Sequence, residues 1–566
     1  MNNNDKHAAS YVLEPLRVDN SDAIQWQEST DVLVVGYGGA GVCAALEARA
    51  QGADVLALDR FEGGGATTLS GGIYYGGGTP YQHEAGYNDT PEEMYNYLKQ
   101  EIGDAVRDET LRRFCNQSST NMDWLCSHGI GFGSKVYEGK RSFPPKGYDI
   151  YYSGNELSPE FEKIARPAPR GHKVAGPGYT GSTLFNTLRD SAHGKGVRFQ
   201  GHTVVTRLIL DSSNQVVGVE ALRIEPGSEG WKKHLKIIRK VNAYQRFIEK
   251  AALDAAEKVR AVEQQYGVPI RIRARQAVVL TTGSFAFNRE MISHYAPKFS
   301  KAMALGTISC DGSGVVMGQG IGAALGHMDS VTAWRTISPP VQFVQGIVVN
   351  REGCRFVAED VYLGRLGHEM AQQTEERAWV IIDSHAYWTS YKDTIPRPGE
   401  EGYLEFKGPL LINLVSNSTK GKTLADLAAK IGVDAQGLEA EVARYNAGIA
   451  AGKDPLGKKK SNCREIGKGP YYGIDISVGS QKFRCPTIPM GGLVVDEDSG
   501  QVLREDGSAI AGLYAAGRAA VGIPSGFYVS GSSIADCVFS GRRAGHSAAQ
   551  LATDKAERQA SMAAGA

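Results

Sequence analysis

Two glycine-rich segments, one near each end of the chain, have the residue spacing most typical of a ligand-binding or catalytic site. In the first, Gly36, Gly38 and Gly41 form a GxGxxG pattern directly after the apolar run VLVV, and a predicted helix follows. Such a turn lets backbone approach a pyrophosphate, whose charge the helix N-terminus stabilises. Asp59 ends the next predicted strand, where a carboxylate can accept hydrogen bonds from both ribose hydroxyls. The pattern predicts dinucleotide binding, and a glycine turn in some other α/β unit is the alternative.

The residues after Asp59 favour FAD over NAD. The stretch 63–73 is rich in glycine and hydroxyl groups, so it can lie along a flat ring and donate hydrogen bonds to its polar edge. The second glycine-rich segment, residues 512–546, indicates one extended FAD site built from both ends of the chain. The predicted FAD-binding residues are Gly36, Gly38, Gly39, Ala40, Gly41, Asp59, Arg60, Thr67, Thr68, Ser70, Gly71, Gly72, Val204, Val205, Gly283, Asp311, Gly517, Arg518, Ser533 and Ile534.

Composition excludes several other classes of protein. The 566 residues include 62 basic and 62 acidic side chains, and no dense basic block suggests nucleic-acid binding. Eight cysteines form neither a CxxC motif nor a metal-ligand spacing, so we expect no metal. Neither a signal peptide nor a long apolar run is evident, which favours a cytoplasmic protein. No His or Cys stands in an evident flavin-attachment motif, so we expect non-covalent FAD, with His83 the nearest candidate to exclude.

The elements between the motifs predict the fold class. We expect an α/β protein with a bipartite Rossmann-like FAD-binding domain and an inserted α+β catalytic (capping) domain. The FAD-binding domain is predicted to comprise residues 28–285 and 479–551, and the catalytic domain residues 286–478. Residues 1–27 and 552–566 are expected to be tails.

A charged, helix-favouring stretch lies between about residues 225 and 275. It predicts one or two helices inserted into a hairpin connection. Because Lys and Arg are dense at its start, the stretch is a candidate for peripheral membrane or homo-oligomer contact. A solvent-exposed surface excursion is the simpler interpretation.

The order of short motifs resembles a known superfamily. The chain carries, in order, GYGGAG, TTLSGG, VVLTTGSF, DGSG, IVVNREGCRFxxE, RYN, GPYYG, MGGLVVDEDSGQVL and GLYAAG. Along roughly residues 30–550 this resembles the FAD-dependent fumarate reductase and 3-ketosteroid dehydrogenase superfamily. The resemblance implies FAD held between a bipartite cofactor domain and a catalytic domain.

Two positions separate the branches of that superfamily. Fumarate reductases carry a His just before MGG and an Arg four residues after the Glu of RFxxE. Here Pro489 precedes Met490, and Leu363 stands four residues after Glu359. Both residues with which fumarate reductases handle a dicarboxylate are therefore absent. The alternative is that Arg365 takes the place of the missing arginine as a proton donor.

Tyrosines stand where ketosteroid dehydrogenases carry them. Tyr362 lies in AEDVY and Tyr528 in GFYVSG, three residues before Gly531. The segment YDIYYSGNE resembles an aromatic pocket loop, which makes Tyr151 and Tyr152 candidate substrate-binding residues. The EDVY and SGNE spacings favour the 4,5-desaturating branch over the 1,2 branch. Because the chain has 25 tyrosines, simple packing is the alternative for each.

The resemblance implies a separate role for each of these residues, and the chemistry of desaturation supports those roles. Desaturation beside a ketone removes a proton α to the carbonyl and a hydride β to it. Tyr528 O–H and Gly531 N–H would stabilise the enolate, and FAD would accept the hydride. Tyr362 would take the proton. Since a phenol pKa lies near ~10, the pKa of Tyr362 must be lowered by neighbours, or its proton must pass to another tyrosine.

The sequence thus predicts an FAD-dependent 3-ketosteroid 4-dehydrogenase that passes electrons to an unidentified acceptor. The alternatives are a 3-ketosteroid 1-dehydrogenase and a fumarate reductase-like enone or enoate reductase. A non-enzymatic flavin electron-transfer protein is a further alternative, and it would have no tyrosines converging at the flavin. The 5α or 5β stereochemistry and the steroid side chain stay open at this stage.

Overall fold

The computed structural model describes residues 12–140, 143–245, 248–338, 340–395 and 403–564, so residues 1–11 and 565–566 of the predicted tails lie outside it. The strands are β1 Leu16–Arg17, β2 Glu28–Val35, β3 Val55–Leu58, β4 Ile73–Tyr75, β5 Val136–Lys140, β6 Ile150–Tyr152, β7 Gly171–Lys173, β8 Arg198–Gln200, β9 Thr203–Leu210, β10 Val216–Arg223, β11 Val268–Leu280, β12 Met303–Ala304, β13 Leu325–Gly326, β14 Val331–Ala333, β15 Ile347–Val349, β16 Trp379–Asp383, β17 Ser418–Gly421, β18 Tyr471–Asp475, β19 Pro486–Pro489, β20 Gly492–Leu493, β21 Gln501–Leu503 and β22 Ala509–Ala515.

The α-helices are α1 Gly39–Ala50, α2 Gly65–Thr68, α3 Pro80–Glu84, α4 Pro91–Ile102, α5 Asp108–Asn116, α6 Ser118–Ser127, α7 Pro159–Glu162, α8 Gly181–Gly194, α9 Glu229–Tyr244, α10 Glu249–Tyr266, α11 Arg289–Tyr295, α12 Ser313–Gln319, α13 Val341–Gln345, α14 Leu363–Ala371, α15 Ser384–Asp393, α16 Tyr403–Ser416, α17 Leu424–Ile431, α18 Ala435–Ala450 and α19 Ser532–Ala564. In the described part of the chain, no helix is both long and apolar enough to cross a membrane.

One mixed sheet joins the two ends of the chain. Its strand order is β1-β9-β10-β11-β2-β3-β8, with β22 paired to β11 and β21 to β22. The N-terminal half of β11 pairs with β10, and its C-terminal half pairs in parallel with both β2 and β22. The VLVV run of β2 is buried almost completely, as expected for a central parallel strand. The fold class predicted from the sequence is confirmed.

Small residues allow the first and last helices to cross closely. Because Gly541 and Gly545 of α19 lack a Cβ, that helix reaches the backbone of α1. A Cβ on Gly541 would lie 2.6 Å from the carbonyl oxygen of Ala40, and one on Gly545 would lie 2.2 Å from that of Ala44. Apolar side chains of both helices, including Val42 of α1, then share one core with the helices α4 to α6. The crossing fixes the start of α19 beside the start of α1.

Four smaller sheets surround this unit. They have the strand orders β4-β7-β6-β5, β12-β19-β14, β13-β20 and β15-β16-β18-β17. Helices α17 and α18 pack an apolar face on the last of these. The predicted division into domains stays a prediction. Strand β19 falls within the predicted FAD-binding segment but pairs with β12 and β14 of the predicted catalytic segment.

The predicted tails are more ordered than expected. Strand β1 belongs to the predicted N-terminal tail, yet it pairs in parallel with β9, with Leu16 opposite Ile209. At the other end, α19 continues to Ala564, so the predicted C-terminal tail is helical as far as that residue. The expectation for the N-terminal tail rested on polar composition, which does not reveal pairing with a distant strand.

The inserted stretch forms two helices in a hairpin connection, as predicted. Helices α9 and α10 lie between β10 and β11, which pair antiparallel. Their inner faces pack on Phe287, Ile308 and Cys310. The insertion is therefore not a free excursion into solvent, because one of its faces supports the segment 303–311. The exposed face of α9 carries basic residues, namely Lys232, Lys233, Lys236, Arg239 and Lys240.

Candidate cofactor and active site

A long cavity opens at the carboxyl ends of β2 and β11, the edge where α/β sheets bind ligands. Both ends of the chain contribute to its wall, together with the segment 303–311. The predicted cofactor residues that line it are Gly36, Gly38, Gly39, Ala40, Asp59, Arg60, Thr67, Ser70, Gly71, Val204, Val205, Gly283, Asp311, Arg518, Ser533 and Ile534.

The glycine turn before α1 depends on close backbone contact. Gly36 has φ +93°, and a Cβ there would lie 2.7 Å from the carbonyl oxygen of Thr281, the residue that follows β11. Only glycine fits that position. No side chain caps α1 at Gly38, and the Gly39 N–H donates to Thr67 Oγ1 over 3.0 Å. The N-terminus of α1 thus faces the cavity and presents a partial positive charge suited to phosphate.

One end of the cavity is held by buried charges. Both oxygens of Asp59 accept backbone N–H groups, from Tyr37 and Phe61, each over 2.8 Å. Arg60 forms two hydrogen bonds of 2.7 Å to Glu263 and one of 3.0 Å to Asp311. Although burial alone would raise it, the charge of Arg60 holds the pKa of Glu263 below its usual range. Because Glu263 belongs to α10, the insertion fixes Arg60 in the cavity wall.

A histidine pair lies behind this ion pair. His234 Nε2 is 3.2 Å from Glu263 Oε1, and its Nδ1 is 2.8 Å from Nδ1 of His202. Burial lowers the pKa of His202 to about 4. Because the ring of His202 is neutral, it can share a hydrogen bond with Nδ1 of His234. Nε2 of His234 then faces Glu263.

Four predicted cofactor residues support the wall rather than line it. A Cβ on Gly41 would lie 2.1 Å from the carbonyl oxygen of Gly36, so this glycine lets α1 pack on β2. Gly72 packs against Thr180, and Thr68 donates its hydroxyl to the Gly65 carbonyl. Gly517 packs against Ala40, at the crossing of α1 and α19. None of these four lines the cavity, so their direct contact with the cofactor stays a prediction.

The cavity lining contains buried polar atoms that have no hydrogen-bond partner within the described protein. Among the described residues, Thr282 Oγ1, Ser284 Oγ and Trp334 Nε1 are buried without a hydrogen-bond partner, and all three residues line the cavity. Native proteins rarely leave such groups unsatisfied. With the N-terminus of α1 and the carboxylate of Asp59, these donors and acceptors fit FAD, whose pyrophosphate, ribose and ring edges need such partners. No cluster of metal-ligating side chains occurs among the residues described.

The start of α19 brings two predicted catalytic groups to the cavity. Tyr528 and Gly531 both line it. Gly531 has φ +94°, and a Cβ there would lie 2.9 Å from Ile73 and 3.0 Å from the Tyr75 nitrogen. Burial raises the pKa of Tyr528, while Arg518, the Gly531 N–H and Ser530 oppose that rise. A cation and two hydrogen-bonding groups therefore lie beside the Tyr528 hydroxyl, just before the N-terminus of α19.

Tyr362 lies in a second, adjoining cavity. That cavity shares Thr336 and Leu363 with the first. The Tyr362 ring lies near Gly364, a residue also close to the backbone carbonyl of Tyr528. Burial and the nearby carboxyls and phenols raise the pKa of Tyr362 well above 10. Among the described residues its hydroxyl has no hydrogen-bond partner. Its neighbours therefore do not lower this pKa, and passage of the proton to another tyrosine stays the open alternative.

The two candidates for substrate binding differ in position. Tyr151 is fully buried, and its hydroxyl lies 3.3 Å from Ser530 Oγ in the cavity wall. Tyr152 pairs with Tyr87 instead, because successive side chains of β6 face opposite sides. Neither tyrosine lines a cavity itself, so their predicted role in substrate binding stays a prediction. Arg365 forms a 2.9 Å ion pair with Glu369 on α14 and lines neither cavity, which does not support a role as a displaced acid.

Sequence reasoning missed several residues of the site. Ser530 stands within the quoted motif GFYVSG, so its position beside Tyr528 was a usable signal. Thr282 and Ser284 likewise flank Gly283 in VVLTTGSF. Trp334, whose ring lies 5.8 Å from that of Tyr528, follows no motif that would have revealed it.

Comparison with known proteins agrees with this geometry. Residues 31–534 match the family described as FAD binding domain. The chain is 36% identical over 535 residues to a 3-oxo-5-alpha-steroid 4-dehydrogenase of Comamonas testosteroni, covering 91% of this chain and 98% of that protein. The chain belongs to the FAD-dependent 3-ketosteroid 4-dehydrogenase family. FAD as cofactor and a flavin-dependent oxidoreductase as enzyme class are confirmed.

A solved structure supports the same family. The 3-ketosteroid-delta4-(5alpha)-dehydrogenase of Rhodococcus jostii RHA1, solved with 4-androstene-3,17-dione, is 32% identical and superposes with a TM-score of 0.78 over 95% of this chain and all of that chain. A more distant relative is a 3-oxosteroid 1-dehydrogenase of Mycobacterium tuberculosis, 27% identical over 86% of this chain and 92% of that protein.

We expect Glu263→Gln to weaken FAD binding by about tenfold or more, because Arg60 would lose the charge that holds it in the cavity wall. Equilibrium titration of apoprotein with FAD, followed by flavin fluorescence, measures this affinity. Glu257→Gln is the matched control, since Glu257 is an exposed carboxylate of the same helix. Equal FAD affinity in both variants would show that the insertion does not support the cofactor.

Proposed function

We propose that this protein is an FAD-dependent 3-ketosteroid 4-dehydrogenase that introduces a 4,5 double bond. The observation that carries the proposal is the placement of Tyr528 and Gly531 at the end of the FAD cavity, with Tyr362 beside them. The similarity to the Comamonas and Rhodococcus proteins supports the same reaction.

The substrate carbonyl would bind at the first turn of α19. Tyr528 O–H and Gly531 N–H are donors there, and the Arg518 charge and the helix N-terminus favour negative charge. An enolate oxygen carries more negative charge than the ketone from which it forms. These groups therefore stabilise the transition state more than the bound ketone.

The α proton would leave on the side of Tyr362. This phenol has carboxyl groups behind it, since Glu101 and Glu156 both act on its pKa. Negative charge repels an enolate but attracts a proton. The two phenols therefore face opposite electrostatic environments, which supports Tyr528 as the carbonyl donor and Tyr362 as the proton acceptor. FAD supplies the hydride acceptor when it is bound.

The remaining wall suits a neutral polycyclic body. Apolar and aromatic side chains line the cavity beyond Tyr528, including Leu305, Ile488 and Trp334. Leu363, at the junction of the two cavities, stands where fumarate reductases carry an arginine. A dicarboxylate would find no cation at that position, whereas a steroid needs none.

The exposed basic face of α9 is the proposed place of any contact with an anionic membrane surface or a second copy of the chain. Sedimentation with anionic vesicles and size-exclusion chromatography would distinguish these two partners. The electron acceptor is proposed only as a redox partner of the bound flavin.

The proposed reaction is tested by incubating purified holoenzyme with saturated 3-ketosteroids and an artificial electron acceptor. We expect 3-keto-4-ene products, with the double bond located by NMR and a mass loss of two hydrogens. A 3-keto-1-ene product would instead assign the 1-dehydrogenase reaction. Fumarate reduction with a reduced dye, without steroid turnover, would overturn the proposal.

Tyr528→Phe should lower turnover by about 10²-fold, because one donor to the enolate oxygen is lost. The flavin absorbance spectrum should stay unchanged, since the variant keeps the ring in place. Tyr472→Phe is the matched control, as Tyr472 stacks on Tyr387 outside both cavities. Parental turnover in Tyr528→Phe would remove this hydroxyl from the site.

Tyr362→Phe should abolish exchange of the substrate α proton into deuterated water, because the exchange needs the proton acceptor but no hydride transfer. Binding of FAD and product should be retained, since the ring still packs. Deuterium uptake is measured by mass spectrometry under anaerobic conditions without an electron acceptor. If uptake continues at the parental rate, another group takes the proton, and Tyr151 would be tested next.

A further inference from the structure

The segment 151–155 contacts both parts of the chain that carry the tyrosines of the proposed reaction. It begins within β6 and continues past the end of that strand. At its start, Tyr151 Oη lies 3.3 Å from Ser530 Oγ. Further along, a Cβ on Gly154 would lie 2.8 Å from Val529 Cγ1, so the backbone packs directly on that side chain. One side of the segment is therefore fixed against the residues that directly follow the proposed carbonyl donor.

The last residue of the segment, Asn155, is hydrogen-bonded to the proposed proton acceptor. Its Oδ1 accepts the backbone N–H of Tyr362 over 2.7 Å, and both residues are buried. A buried N–H has no water with which to replace a lost partner. The hydrogen bond therefore fixes the backbone of the same residue that bears the phenol.

The side-chain amide of Asn155 is itself held in one orientation. Its Nδ2 donates to Glu101 Oε1 over 2.7 Å, and its backbone N–H donates to Tyr97 Oη over 2.8 Å. Tyr97 Oη in turn donates to the same Glu101 oxygen over 2.6 Å. A flipped amide would set two donors against each other at the Tyr362 N–H. The observed orientation, in which Oδ1 faces Tyr362, is therefore the one that satisfies every group.

The chain on either side of Tyr362 is also constrained. Before it, Glu359 Oε1 accepts the Val348 N–H over 2.8 Å, and Glu359 Oε2 pairs with Lys458 Nζ over 2.8 Å. After it, a Cβ on Gly364 would lie 2.7 Å from Tyr362 Cε1, so a side chain there would displace the ring. The hydrogen bond from Asn155 sets the position of the tyrosine between these two points.

We propose that Asn155 is the positioning residue of Tyr362, and that segment 151–155 sets the distance between the two reacting tyrosines. The proposal rests on the proposed dehydrogenase function. Asn155 lines neither cavity, so it acts through Tyr362 and not on the substrate. The α proton must lie within reach of Tyr362 while the carbonyl stays bonded at Tyr528, and a misplacement of about 1 Å costs up to about 10²-fold in rate.

The role is tested first by flavin reduction in Asn155→Ala holoenzyme, followed by anaerobic stopped-flow absorbance. At a saturating 3-ketosteroid concentration we expect the rate to fall about tenfold or more, because the proton acceptor is displaced. The half-saturating steroid concentration and the FAD affinity should stay within about twofold, since no group that binds either molecule is removed. Asn155→Ser, whose hydroxyl is too short to reach the Tyr362 N–H, carries the same expectation if Asn155→Ala does not fold.

Asn446→Ala is the matched control. The amide of Asn446 bonds both backbone groups of Ile466 over 3.0 Å, and the residue lines neither cavity. This variant loses a comparable pair of hydrogen bonds and should keep the parental rate of flavin reduction. An equal loss of rate in Asn446→Ala would overturn the specific role of Asn155.

A double-mutant cycle tests whether Asn155 acts through Tyr362. Asn155→Ala should add less than about twofold to the loss in Tyr362→Phe, because the hydroxyl that it positions is then absent. Gly364→Ala, which displaces the ring directly, should reproduce the loss of rate. Asn155→Asp should recover most of the rate, since its carboxyl oxygen can still accept the Tyr362 N–H. Multiplicative losses in the double variant would overturn the proposal.

Hydrogen–deuterium exchange of the backbone provides a measurement that needs no turnover. The Tyr362 N–H should exchange at least about tenfold faster in Asn155→Ala than in the parental protein, and at the parental rate in Asn155→Asp and Asn446→Ala. Unchanged protection in Asn155→Ala, or parental flavin reduction despite lost protection, would overturn the role of Asn155. Lost protection in a protein whose parental form oxidises no steroid would count against the proposed function alone.

Discussion

The pairing of β11 with both β2 and β22 is the interaction on which the site depends. Parallel hydrogen bonds align the carboxyl ends of these three strands, although they come from the start, the middle and the end of the chain. Gly36 can turn only because it approaches Thr281, directly after β11, without a Cβ. The chain then leaves β22 towards α19, which begins directly after Gly531. The glycine turn at Gly36 and the residues around Gly531 are therefore held in fixed relative positions by the same sheet.

That framework places opposite charge environments on the two sides of the reacting end. Arg518 and the N-terminus of α19 make the Tyr528 side electropositive, whereas Glu101 and Glu156 make the Tyr362 side electronegative. A neutral substrate brings no charge of its own to organise the reaction. Fixed protein charges and dipoles must then separate the charge that develops, since they need not reorient during the step.

The local parts of this arrangement were readable in the sequence, and the long-range parts were not. The glycine turn, Asp59 and the motif around Tyr528 are short patterns with a local physical meaning, and each lines the cavity. Arg60 was predicted to bind the cofactor, but its partner Glu263 lies 203 residues away in an insertion that composition alone assigned to the surface. Glu101 lies in an ordinary amphipathic helix, where a glutamate usually faces water. Only tertiary packing removes it from solvent.

The same reasoning explains why a phenol can serve where a cation serves in the dicarboxylate branch. An arginine at this place suits a charged substrate carboxylate, whereas Leu363 leaves the junction of the cavities apolar. An apolar junction excludes water and raises the pKa of Tyr362, which by itself would disable the phenol as a base. A phenol in this place can take the substrate proton, as proposed, only if its own proton leaves in the same step. The proposed removal of the α proton therefore depends on the groups that surround Tyr362 as well as on its hydroxyl.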